Sequence, residues 1–315
     1  MRAGLRILLA AALPCGALAA SPEATDTPAW RAQHGVLLGI AASGPRLAAV
    51  GDRGTVLISN DQAAHWSYAP SGFDGLLTAI DFRDDKTGIA VGQDAAILAT
   101  EDGGAHWTCV HSAPNSDQGL FAVIHAGTHW LVTGGYALMF ESDDGKTWSQ
   151  TKLPELDEDY HLNGVAAHGE DVLIAAESGQ DLLRHAGTWS KIPVPYNGSQ
   201  FGCLIAADGT FYSFGLRGSL FSRAPGAAQW TRIDLGTTNS LFGGVLLADG
   251  RLALVGGNGL AVLYDPAKKA HVQLKPPSHA SLSGVVAGGE GRLIAVGDDG
   301  IHILNMAELA EAATQ

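Results

Sequence analysis

Short apolar runs broken by glycine, aspartate and asparagine recur along the chain. In one stretch they read LLTAIDF, TGIAVG, AAILATE and HWTCV, each continuous or alternating in apolar character and each followed by turn-forming residues. Apolar runs of this length, with turn chemistry between them, predict β-strands. Only the carboxyl-terminal MAELAEAATQ, Met306 to Gln315, reads as helix.

The strand pattern repeats. Trp66, Trp107, Trp148, Trp189 and Trp230 follow one another at 41-residue intervals, and the next position in phase is His271. A second marker precedes the indoles, in segments such as AAVGDRG at Gly51, IAVGQDA at Gly92, FGLRG at Gly215 and AVGDDG at Gly297, and gives seven copies. A unit of this length carrying four strands is one propeller blade, because a lone four-stranded sheet buries neither face and must pack on neighbours. The expectation is an all-β, seven-bladed β-propeller of four-stranded blades spanning residues 27–305, with 306–315 as a tail. The seventh copy runs into that tail without a fourth strand. Thr27–Gln33, which carries Trp30, is therefore expected to complete the last blade as an amino-terminal strand.

Aligned on the indole, three copies read SNDQAAHW, TEDGGAHW and ESDDGKTW. The pattern is hydroxyl, any, Asp, any, Gly, two more, Trp. It assigns Ser59, Asp61 and Trp66 to the first copy, Thr100, Asp102, Gly104 and Trp107 to the second, and Glu141, Asp143, Gly145 and Trp148 to the third. This resembles the Asp box (BNR repeat) of bacterial neuraminidase-type propellers. A structural role follows: the carboxylate caps turn N–H groups, glycine takes positive φ, and the indole packs beneath the hairpin.

The longer segment GIAVGQDAAILATEDGGAHW resembles the photosystem II stability/assembly factor family and its relatives in non-photosynthetic bacteria. The resemblance implies a seven-bladed propeller without catalytic activity or cofactor, which binds a protein partner during assembly of a membrane complex or beside a membrane exporter. Photosynthetic members engage their client with a basic patch. Here the turns between second and third strands supply only Arg53 and Arg217.

Charge and composition sharpen this. Charged residues are 16% of the chain and there are 41 glycines, a composition suited to many short strands and tight turns. The first residues carry Arg2 and Arg6, an apolar run from Ile7 to Leu13 and a small-residue site at Ala17–Ala19, the layout of a secretory signal peptide over residues 1–19. The chain is expected in the periplasm or secreted. Removing that leader takes the formal net charge from −13 to −15, which disfavours nucleic acid and anionic membrane surfaces as partners. Cys109 and Cys203 lie in different repeats and read as buried free thiols.

Known chemistry is harder to place. A sialidase needs convergent arginines for a carboxylate, and no such triad stands out. The acidic loop PELDEDYHLNG, Pro154 to Gly164, alternates Asp157, Asp159, His161 and Asn163 in a calcium-like way but lacks the glycine and closing glutamate of a calcium loop. His125 and His129 have the spacing of a helical metal pair but fall across a strand turn, so no metal site is assigned. In a propeller, turns between second and third strands gather on one face with the connections between blades. That partner-binding face should present Asp52, Arg53, Gln93, Asp94, Tyr136, Glu177, Arg217, Asn258, Asp298 and Asp299, with Phe73, Tyr160, Tyr196, Phe201 and Phe242 as loop anchors. The function this supports is protein binding. A periplasmic glycan-binding module is the alternative, with a sialidase-like hydrolase behind it.

Overall fold

The computed structural model describes Trp30 and residues 34–153, 160–274 and 278–306. They form seven antiparallel sheets, each a meander in which strands adjacent in sequence are adjacent in the sheet. Blade 2 is typical: Leu77–Phe82 is innermost, followed outward by Gly88–Gly92, Ile97–Thr100 and Thr108–His111. Innermost strands of successive blades lie side by side around the molecule, and that of blade 7, Leu282–Ala287, meets that of blade 1, Leu37–Ser43. The 41-residue period therefore closes into the expected seven-bladed ring.

Six sheets have four strands. The seventh has three among the described residues, Leu282–Ala287, Arg292–Gly297 and Gly300–Asn305. The segment expected to supply its fourth strand falls largely outside the described residues. Trp30 within it is helical, and its ring stacks on that of His34 at 5.3 Å. Within the described residues the ring is joined by packing: Leu37, Ala49 and Leu57 of blade 1 bury against Val296, while Leu47 and Ala63 bury against Val286 and Ile294.

The core consists of these seams between blades. Val50 and Ile58 of blade 1 share one cluster with Leu77, Ala90 and Leu98 of blade 2. Each buried aliphatic side chain contributes about 1.5–3 kcal/mol, so a blade depends on its neighbours for most of its stability. The periodic indoles belong to the same seams. Trp148 packs with Ile89 and Val91 of blade 2, Trp189 with Leu131 and Met139 of blade 3, and Trp230 with Leu173 of blade 4. The Trp230 Nε1–H also donates to the Ile192 carbonyl at 2.8 Å, so each of these indoles seals its own blade to the preceding one.

The box hairpins follow the expected chemistry in the first two copies. Thr100 Oγ1 donates to Asp102 at 2.9 Å and accepts the Gly104 N–H, while Asp102 accepts the His106 N–H. Ser59, Asp61, Ala63 and His65 repeat this arrangement. Backbone and ring donors from the following histidines hold the Asp61 and Asp102 carboxyls down at about 2. The third copy corrects the sequence alignment. Ser142 and Asp144 make the box, with Asp144 accepting the Lys146 and Thr147 N–H groups, whereas Asp143 turns outward to His129. Its hairpin is one residue shorter: Gly145 donates back three residues to Ser142 instead of four, so the capping pair shifts while the glycine and indole stay in place.

Cys203 is buried as expected. Cys109 is exposed on Thr108–His111, the outermost strand of blade 2, at the rim of the ring.

Candidate functional site

In the first six blades the chain leaves the second strand through a turn whose second residue is left-handed without being glycine. Arg53, Asp94, Tyr136, Ser178, Arg217 and Asn258 all have φ between 51° and 56°. Asparagine and aspartate accept this region readily, whereas arginine and tyrosine are uncommon there. The next residue is also left-handed and is pressed against the connection between blades. A Cβ on Gly54 would stand 1.7 Å from the Phe73 carbonyl oxygen. Blade 7 turns more tightly, through Asp298 and Asp299 to Gly300 at φ 99°.

The residue before each left-handed one ties the turn to the start of the innermost strand. Asp52 donates its N–H to Val36, Gln93 to Leu76 and Glu177 to His161, and Asp298 makes the same bond to Ser281 in blade 7. The structure thus brings the sequence-predicted face residues, Asp52, Arg53, Gln93, Asp94, Tyr136, Glu177, Arg217, Asn258, Asp298 and Asp299, to the one face where the innermost strands begin.

A second sevenfold feature on this face escaped the sequence reading. Every innermost strand carries a bulge after its first residue: Leu37 pairs with Gly51, Leu38 is left out, and Gly39 pairs with Val50. The same slip recurs at Thr78, Phe121, Asn163, Phe201, Phe242 and Ser283. A bulge frees one residue from the ladder and re-aims its side chain. Here the seven freed residues surround the mouth of the central channel, a space of about 220 Å³. The signal was present as a buried residue, any residue, then Gly or Ala, as in Leu162-Asn163-Gly164. The small third residue lets neighbouring innermost strands approach: a Cβ on Gly164 would lie 2.9 Å from the Gly202 Cα, and one on Gly243 2.9 Å from the Gly284 Cα.

Two bulged residues stitch blades together across the mouth. Thr78 donates to the Leu120 carbonyl at 2.6 Å and Asn163 to the Gln200 carbonyl at 2.9 Å. Others are aromatic. Phe201 and Phe242 meet with ring centroids 5.6 Å apart, and His161 lies between Phe121 at 5.8 Å and Tyr136 at 5.2 Å. Tyr136 is 55% exposed and Phe242 36%. Of the anchors expected from sequence, Phe201 and Phe242 stand at the mouth. Phe73 and Tyr196 pack inward instead, Phe73 into the seam between blades 1 and 2 and Tyr196 onto Phe221.

The charges of the face are mostly acidic. Asp299 accepts from Ser278 and pairs with His302; burial pulls its pKa up, but these partners outweigh it and leave the carboxyl below its usual value. Arg53 leans on Asp52 at 3.6 Å.

A larger groove of about 570 Å³ lies outside the ring's face, between the outer parts of blades 3 and 4. Its one arginine, Arg184, binds Glu141 at 2.7 Å and stacks over Trp189, so it presents no convergent guanidinium set. The acidic segment suggested for calcium lies largely outside the described residues. His161 and Asn163 at its end are engaged in the ring and carbonyl contacts above.

With this geometry in place, comparison with known proteins is specific on one point. The sequence model described as photosynthesis system II assembly factor YCF48 matches residues 58–242. No curated protein sequence matches the chain significantly. Among solved structures, YCF48 bound to D1 peptide is 14% identical over 86% of this chain and 93% of that one, with a TM-score of 0.69. YCF48 from Cyanidioschyzon merolae is 15% identical over 87% of this chain and 96% of that one, with a TM-score of 0.70. A streptogramin B lyase is 12% identical over 87% and 94%, with a TM-score of 0.75. At such identities the structural likeness establishes the propeller, and a propeller serves binding and catalysis alike.

Proposed function

The chain belongs to the family of the photosynthesis system II assembly factor YCF48, and we propose on that premise that it is an exported, non-enzymatic propeller that binds a segment of a client protein on its turn face. The client belongs to a membrane complex or an exporter. One observation carries the reading. Arginine and tyrosine are held left-handed at Arg53, Tyr136 and Arg217, although glycine would adopt that backbone without strain. Retaining side chains at a backbone cost fits a surface that uses them. The aromatic channel mouth beside them supplies the rigid apolar anchors that protein recognition favours.

Export rests on the leader pattern of residues 1–19. Fractionation, with amino-terminal sequencing of the mature product, tests it: a chain retained in the cytoplasm with Met1 intact contradicts it. Binding is tested by affinity isolation from detergent-solubilised membranes. The parent should recover one defined membrane protein complex, and a folded Tyr136→Glu/Phe242→Glu variant should lose it. Equal recovery by both places the partner elsewhere, and recovery of none removes the reading. The family's known member bound to D1 peptide supports a protein ligand over a glycan.

A further inference from the structure

The turn face has two halves of different chemistry. Blades 3, 5 and 6 place Phe121, Phe201 and Phe242 at the bulged positions and blade 4 places Asn163, joined by Tyr136 and His161. Blades 7, 1 and 2 place Ser283, Leu38 and Thr78 there instead, so that arc has no ring at the mouth. Its charge is also one-sided. Among the described residues, Asp52, Asp94, Asp298 and Asp299 in the turns, with exposed Asp74 and Asp117 in the connections, face a single guanidinium, Arg53. In the aromatic half, Glu177 and Arg217 balance one another in the turns.

Resting on the reading that this face binds protein, we infer that the client segment is cationic on one side and apolar on the other. Its lysines or arginines lie over the acidic arc of blades 7, 1 and 2, and an aromatic or aliphatic side chain enters the channel mouth beside Phe201 and Phe242. Charge complementarity selects this occupant. Carboxylates spread over three adjacent blades attract a run of cations and repel an acidic segment or a phosphate-bearing surface, while exposed rings recover apolar area only from an apolar partner. The channel space of about 220 Å³ equals roughly seven waters at about 30 Å³ each, enough for side chains and about half the volume of a single helical turn about 10 Å across. The segment therefore lies extended across the mouth.

The test uses fluorescein-labelled synthetic peptides and fluorescence anisotropy. The probe is a peptide of repeating Lys-Phe-Lys-Gly units; the controls replace lysine by glutamate, or phenylalanine by glycine. The Lys-Phe peptide should bind the parent at least about tenfold more tightly than either control, with affinity falling as salt rises. An Asp52→Asn/Asp94→Asn/Asp298→Asn variant should bind it about tenfold more weakly and with a shallower salt dependence, since each exposed ion pair is worth a few-fold at most. Phe242→Ser should weaken binding while leaving the salt dependence unchanged, which a general loss of structure does not do. Equal binding of the glutamate peptide, or undiminished binding by the neutralised variant, overturns the inference. If a membrane client co-purifies through Tyr136 and Phe242 but the Lys-Phe peptide does not bind, the inference fails while the protein-binding reading stands.

Discussion

Replacing Asp181 by valine should stabilise the propeller, and more so as pH rises. Blades 1, 2, 3, 5 and 6 place Val56, Ile97, Met139, Leu220 and Ala261 at this point of the repeat, so the seam of blades 4 and 5 holds a carboxyl where these counterparts hold apolar side chains. Asp181 has no exposed surface. One oxygen accepts the Ala176 N–H at 3.1 Å; the other, like the nearby Ser213 hydroxyl, makes no hydrogen bond among the described residues. Burial pushes its pKa from 3.8 up to about 7, against smaller opposing effects of the Ser213 hydroxyl, close enough to favour the charge without bonding geometry, and the Ala176 N–H.

The sign follows from where the proton leaves. The unfolded chain releases it near pH 3.8 and the folded chain near 7, so the folded state loses stability as pH rises between the two and no further above about 8. About three units at roughly 1.36 kcal/mol each give a loss of about 4 kcal/mol. Urea unfolding followed by tryptophan fluorescence at pH 4.5, 6 and 8, for parent and Asp181→Val, isolates this group from the other carboxylates. The difference in stability should be small at pH 4.5 and grow toward about 4 kcal/mol at pH 8. A difference independent of pH, or a variant less stable than the parent at pH 8, refutes the reasoning.

Other outcomes follow from single contacts. Asp144→Ala should lower the urea midpoint while Asp143→Ala leaves it unchanged, because only Asp144 caps the third box; the reverse result restores the sequence alignment. Gly164→Ala should cost about 1–3 kcal/mol by overpacking, measured by the same unfolding, because its Cβ meets the Gly202 backbone at 2.9 Å. In a Cys15→Ser chain, one thiol, Cys109, should react with a thiol reagent under native conditions, and Cys203 only after denaturant is added; burial of Cys203 and the nearby Asp181 carboxylate raise its pKa further.

The ring was legible because its signals are redundant. The indole recurs at a fixed interval from Trp66 to Trp230, and each of the five packs into the seam with the preceding blade. The turn face was legible for the same reason, since at least one glycine marks each exit from a second strand. The bulges were not. They leave the hydrophobic pattern of a strand intact and shift pairing by one residue, which appears only when Leu162-Asn163-Gly164 is laid beside six equivalents. Strand pairing likewise fixed the third box at Ser142 and Asp144, one residue from the aligned positions. Phe73 and Phe242 look alike as loop aromatics; only the fold sends one into a seam and the other to the mouth. The polar seam at Asp181 was hidden because charge in a strand reads as a solvent-facing position until a neighbouring blade covers it.

The central claim, that the turn face is where a client protein binds, is tested most directly by site-specific photo-crosslinking in living cells. A benzoyl-phenylalanine replaces Tyr136 at the channel mouth in one strain and Ser190, exposed on an outer strand of blade 4, in another. The account expects one discrete membrane-protein adduct from Tyr136 and none from Ser190. An adduct from Ser190 alone, or from neither position, contradicts it.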